Sequence, residues 1–270
     1  MQICFLILLF ILGACFGSFL CCQARRLHLR EKHKSSSKLN PRSICLHCHR
    51  QLRWYDNIPV ISWIVLRGKC RHCHKPIGLA EILSELGLGL AFLALGASFD
   101  FNSSDIFSYL IFVLTLSFTL MISFLAIYDG LYGELPSTII WISISTAFAV
   151  LLLQTCHTLL SEPFSIDLLW KPFASVAVLG GLYLVLYLVS HGKWVGDGDW
   201  LLGTAIAIFL ANPWRALITL FLTNLLACFV MLPAMKRNRH RKIHLGPFMV
   251  AAFVIVIALF YSKYDIISLW

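Results

Sequence analysis

The sequence predicts an all-α polytopic membrane protein of about eight transmembrane helices, with a small cysteine-rich, zinc-knuckle-like cytoplasmic insertion between helices 1 and 2. Three observations predict it. Of 270 residues, 59% are hydrophobic and only 13% charged, where soluble domains carry about a quarter. Mean hydropathy is +0.80. The apolar residues also fall into long runs suited to helical crossings, not into the short alternating segments of a barrel. Such a composition excludes an ordinary soluble fold and a disordered chain alike.

The elements follow in chain order. No basic residue precedes the first apolar run, residues 3–24, and no A-x-A-like site follows it; Arg25, Arg26 and Arg30 come directly after. It is expected to be a retained span, residues 1–24, with its N-terminus outside. Residues 25–78 form a soluble insertion with a Ser35–Ser37 linker, two C-x-x-C pairs and a semi-apolar middle at Trp54–Leu66. So short a segment builds little core, and a structural metal would supply the missing staple. The remainder, 79–270, is expected to be a multi-helix membrane domain. Its apolar stretches lie at about 79–98, 107–128, 136–156, 172–190, 200–212, 214–234 and 246–262. The 200–212 run is short for a crossing and Pro213 separates it from the next, so it reads as a tilted span in a thinned bilayer or half of a re-entrant pair.

Charge orients these elements. Thirteen of the 22 Lys and Arg residues fall within 25–78 and five more within 236–242. With eight crossings, nineteen basic residues, Lys193 among them, share one side, against Lys171, Arg215 and Lys263 on the other. The positive-inside bias makes the richer side cytoplasmic and places both termini outside. The net charge of +9 sits beside apolar spans without a base-reading motif, so it points to membrane lipids and not to nucleic acid. The oligomeric state is not legible.

Two constellations carry chemistry. Cys45, Cys48, Cys70 and Cys73 form two C-x-x-C pairs with 21 residues between them, a spacing slightly longer than the common ribbon range that can close a tetrahedral zinc site of four thiolates, with free thiols or disulfides as the alternatives. His47, His49, His72 and His74 stand beside them as substitute ligands or, more simply, as solvated knuckle residues. Asp129 ends the third span and Asp199 begins the sixth, so this topology brings both to the cytoplasmic ends of helices. Two carboxylates sharing a site do not both ionise readily, and one protonated, one charged, they suit aspartic-protease chemistry. Asp199 stands in Gly196-Asp197-Gly198-Asp199, where the glycines admit close backbone approach, although Gly and Asp also make ordinary turns. The same pair would serve an acid-dependent ion or proton transporter, or sit idle in a zinc-stapled membrane scaffold.

Gly196-Asp197-Gly198-Asp199, together with Asp129 and Pro136, resembles the catalytic segments of the type IV prepilin leader peptidases, the prepilin peptidase/N-methyltransferase family of GxGD-type intramembrane aspartic proteases. Further anchors run in the family's order: Gly13, Gly17-Ser18-Phe19-Leu20 and Arg25 or Arg26; then Arg42, Cys45 and Cys48; then Asp56-Asn57-Ile58-Pro59, Ser62 and Gly68-Lys69-Cys70 with Cys73 and Ile77. Glu85 and His244-Leu245-Gly246-Pro247-Phe248 complete the set. The resemblance implies a protease of the cytoplasmic (inner) membrane that removes the short basic leader of prepilin or pseudopilin precursors. Asp129 and Asp199 would be its catalytic acids, with Asp197 a rival for the latter. It further implies possible N-methylation of the new terminus from S-adenosylmethionine, with Glu85 and the insertion as contributors. One departure stands out: Leu201 occupies the place of a lysine that usually follows the family's motif.

Overall fold

The computed structural model describes residues 2–32, 43–45, 47–48, 50–99, 106–161, 165–237 and 244–260, with the side chains of 231–237 left aside. The Ser35–Ser37 linker, His49 and most of the 236–242 basic cluster lie outside the described residues. Each of the eight apolar runs is helical: α1 (Gln2–Lys32), α3 (Leu79–Ser98), α4 (Ile106–Tyr132), α5 (Ser137–Ser161), α6 (Asp167–Val176) continued through a π turn (Ala177–Gly181) into α7 (Leu182–Ser190), α8 (Asp197–Leu210), α9 (Pro213–Arg237) and α10 (Gly246–Phe260). The short α2 (Ile61–Val65) lies in the insertion, and no strand occurs among the described residues. Six helices are long and apolar enough to cross a membrane; α8 and α10, as described, are shorter.

The chain divides into two compact units, Met1–Gly96 and Ala97–Trp270. The first unit includes α3 as well as α1. The reason is the packing of α3 on α1. A Cβ at Gly13 would lie 2.6 Å from the Leu88 carbonyl oxygen, and one at Gly17 would run into the Ser84 carbonyl. Lipid is as apolar as leucine, so helices in a bilayer associate through such backbone-to-backbone approach and not through transfer out of water. An ion pair from Arg25 to Glu81 closes the same helix pair.

In the second unit α8 is the central element, packed by α4's partner α5 and by α6, the π turn, α7, α9 and α10. Leu202, Ala205, Ile206 and Ala207 are fully buried. At 14 residues it measures about 21 Å, well under a bilayer core of about 30 Å. A helix wrapped in protein needs no lipid-spanning length, which accounts for the short apolar run. Its neighbours approach through small groups: Ser175 Oγ donates to the Ala207 carbonyl at 2.8 Å, and Gly180 of the π turn lies against Thr204. Pro213 begins α9 instead of breaking it. Asn212 Oδ1 accepts the Trp214 and Arg215 N–H groups at 2.9 and 3.3 Å, an N-cap followed by proline at the first helical position.

Three aromatic rings set the register of α4, α8 and α10. Phe118 stacks on Phe209 with ring centroids 4.6 Å apart, and Phe253 meets both edge-on at 5.6 and 5.3 Å. Asp129 lies eleven residues along α4 from this cluster and Asp199 ten residues along α8. At 1.5 Å per residue these are offsets of about 16 and 15 Å, so the two acids emerge at matched depth.

Candidate active site

Asp129 sits in the last turn of α4. The helix ends at Gly133, whose φ of +70° is a left-handed cap that glycine adopts without strain, and Gly133 N–H donates to the Asp129 carbonyl at 2.8 Å. Asp129 is only 5% exposed. Its Oδ2 accepts the N–H of Gly246, the first residue of α10, at 2.9 Å. Residue 246 has to be glycine for that approach, because a Cβ there would lie 2.8 Å from Oδ2. On the other oxygen, Oδ1 faces His244 Nδ1 at 3.6 Å.

Asp199 occupies the third position of α8 and is 9% exposed, whereas Asp197 at the first position points to the surface. Asp199 Oδ2 reaches back to accept the Gly196 N–H at 3.0 Å, a hold at a helix start that the macrodipole favours. Gly198 is covered by Leu135, which a Cβ would meet at 2.6 Å. Asp129, Asp197 and His244 all lie near enough to Asp199 to act on it electrostatically. Of the residues singled out by the sequence, the fold thus draws Asp129, Gly196, Gly198 and Asp199 into one neighbourhood. His244 and the Gly246 N–H join them there. Spacing alone gave no role to either, because 117 residues separate Gly246 from the carboxylate it holds.

The four cysteines form a second cluster, in the first unit. Cys45 N–H donates to the Arg50 carbonyl and Cys70 N–H to the Lys75 carbonyl, both at 2.9 Å, so each C-x-x-C closes as a knuckle. All four Sγ atoms lie within 4.8 Å of one another, and Cys45 and Cys73 are 3.9 Å apart. Thiolates at 2.3 Å from a tetrahedral zinc would stand about 3.8 Å apart, so the donor set fits the ion. Backbone N–H groups of Cys73 and His72 hold the Cys70 thiol down to about 7, favouring the thiolate a metal requires. Among the described histidines, His72 is engaged elsewhere, with its Nδ1 3.1 Å from Arg50. Asp56 braces the second knuckle through Arg71 at 2.9 Å, with the Arg71 guanidinium over the Tyr55 ring. Glu85, 7% exposed, accepts the Val60 N–H at 2.8 Å and so ties the insertion to α3.

Comparison with known proteins agrees with this architecture. Residues 11–99 match the bacterial peptidase A24 N-terminal domain. A prepilin leader peptidase/N-methyltransferase of Myxococcus xanthus (strain DK1622) is 44% identical over 90 residues, 33% of this chain and 25% of that protein. One from Burkholderia pseudomallei (strain 1026b) is 34% identical over 228 residues, covering 78% and 65% of the two chains. Another from Legionella pneumophila is 29% identical over 253 residues, covering 85% and 76%. The chain therefore spans between a quarter and about two thirds of the first two relatives. No solved structure matches. Fold and matches together define a multi-pass helical membrane protein with an A24-type N-terminal domain. Its named matches are prepilin leader peptidase/N-methyltransferases, to which the chain is similar over part of their length.

Proposed function

We propose that this protein is a membrane aspartic endopeptidase that cleaves the short basic leader from type IV prepilin-like precursors at the cytoplasmic face of the inner membrane. The observation that carries the reading is the placement of Asp129 and Asp199: two buried carboxylates at the ends of α4 and α8, each held by one backbone N–H and each in the other's field. Carboxylates at a bilayer boundary are costly to keep without a purpose, and this pair matches the acid–base chemistry of peptide hydrolysis.

The reaction then runs on these two groups. Asp129, ionised, takes a proton from water as the water oxygen bonds to the scissile carbonyl carbon, while Asp199 gives its proton to the carbonyl oxygen. As the C–N bond breaks, Asp129 returns its proton to the leaving amine and Asp199 recovers one from the hydroxyl, so both acids end as they began. The precursor's hydrophobic helix would enter laterally from the lipid, leaving the basic leader among cytoplasmic loops.

Zinc fits the four cysteines as a structural ion: four thiolates leave no open position for catalysis. The relatives' names pair the peptidase with N-methyltransferase, and we extend that second activity, with S-adenosylmethionine as donor, to this chain on that ground alone. Precursor cleavage in cells tests the main reading. The intact protein should shorten a co-expressed prepilin, and Asp129→Asn and Asp199→Asn should each abolish the shortening while the protein still accumulates in the membrane. Equal processing by all three would reject the mechanism. Ion flux dependent on Asp129 without cleavage would favour a transporter instead.

A further inference from the structure

His244 carries an inference that rests on, and deepens, this aspartic reading. Asp129 accepts the Gly246 N–H at Oδ2, 2.9 Å, and its Oδ1 faces the His244 ring, 3.6 Å from Nδ1 and just beyond hydrogen-bond reach. Asp199 meets one donor, the Gly196 N–H, and lies in the fields of Asp129, Asp197 and His244. The two acids therefore differ in their immediate surroundings.

The ring is itself fixed. It packs on Gly133, where a Cβ would fall 2.5 Å from the ring's Cε1, so the left-handed turn ending α4 leaves a slot that the imidazole fills. His244 stands two residues before Gly246, so one short segment delivers both contacts to Asp129. Around the ring, α4 presents Asp129 and α8 presents Asp199. α10 has no ionisable side chain from Gly246 to Phe260.

We propose that His244 is the positioning residue of the carboxylate pair: its Nδ1–H, aimed at Asp129 Oδ1, completes with the Gly246 N–H a two-point hold that makes Asp129 the base and leaves Asp199 the acid. Such base–orienter pairs are the usual way a reacting group is kept at a productive angle. The long contact tightens when substrate excludes water, as catalytic contacts in substrate-free sites commonly do.

The test uses the full-length protein reconstituted in lipid vesicles, with a prepilin precursor as substrate. His244→Phe keeps a ring in the slot but removes the donor, and His244→Gln restores a donor that does not ionise. For His244→Phe we expect kcat to fall roughly tenfold to a hundredfold, with KM within about twofold and the unfolding temperature unchanged. His244→Gln should recover part of kcat, because it restores a side-chain donor. Wild-type kcat in His244→Phe would overturn the proposal. So would equal losses in both variants together with a lowered unfolding temperature, which would make the ring mere packing. Asp129→Asn and Asp199→Asn run alongside: if either cleaves normally, the aspartic reading itself has failed and His244 falls with it, whereas inactive Asn variants beside an indifferent His244→Phe reject this inference alone.

Discussion

Asp197 and Asp199 stand two residues apart in one motif, and the first turn of α8 separates their roles. Asp199 turns inward to Gly196 N–H, while Asp197 faces outward. Asp197→Asn should therefore leave prepilin cleavage within about threefold of the intact protein, against the loss expected for Asp199→Asn; a cleavage assay in membranes decides it, and an inactive Asp197→Asn would contradict the assignment. Gly246 is a residue of the same kind. Gly246→Ala would push a methyl group against Asp129 Oδ2 and displace the N–H that holds it. We expect cleavage to drop by about 100-fold, the usual consequence of a small misplacement of a reacting group. At this scale the residue types were legible and their partners were not, because the N–H holding Asp129 arrives from 117 residues away.

At the scale of elements, the knuckles and the register cluster do the positioning. Each knuckle brings two thiols together locally, and only the pair of knuckles completes the fourfold set. Purified protein should carry one zinc per chain by elemental analysis, and Cys48→Ser or Cys73→Ser should lose it and expose the insertion to proteolysis, since metal binding and folding are coupled in so small a segment. A metal content unchanged in both variants would rule the cysteine set out. In the other unit, Phe209 joins α4, α8 and α10. Phe209→Ala removes both ring contacts from a buried position and should destabilise by about 3–5 kcal/mol, visible as earlier thermal unfolding in detergent, with cleavage reduced because the offsets of the two acids are no longer locked. Helix existence was plain in the apolar runs. That α6 and α7 are one rod interrupted by a π turn, and that Asn212-Pro213 starts α9, emerged only from backbone geometry.

For the whole molecule, the expected orientation rests on nineteen basic residues gathered on one side. Thiol labelling of intact cells and of inverted vesicles measures it directly. In a background without reactive cysteines, a cysteine introduced at Lys38 should label only in inverted vesicles, and one at Asp105 only in intact cells. The reverse pattern would turn the protein over and place both acids outside.

What the sequence determined by itself is what composition and local order carry: an all-helical membrane chain, eight apolar elements, the two thiol pairs, and which acids lie near helix ends. These follow from nearest-neighbour chemistry, since a bilayer forces each spanning segment to satisfy its own backbone as a helix. Tertiary structure alone decided three further matters. It grouped α3 with α1 through glycine contacts, made α8 a short helix enclosed by protein, and brought Gly246 and His244 to Asp129. Each depends on how side chains from distant segments fit together, and such fit has no period or spacing by which a sequence could announce it.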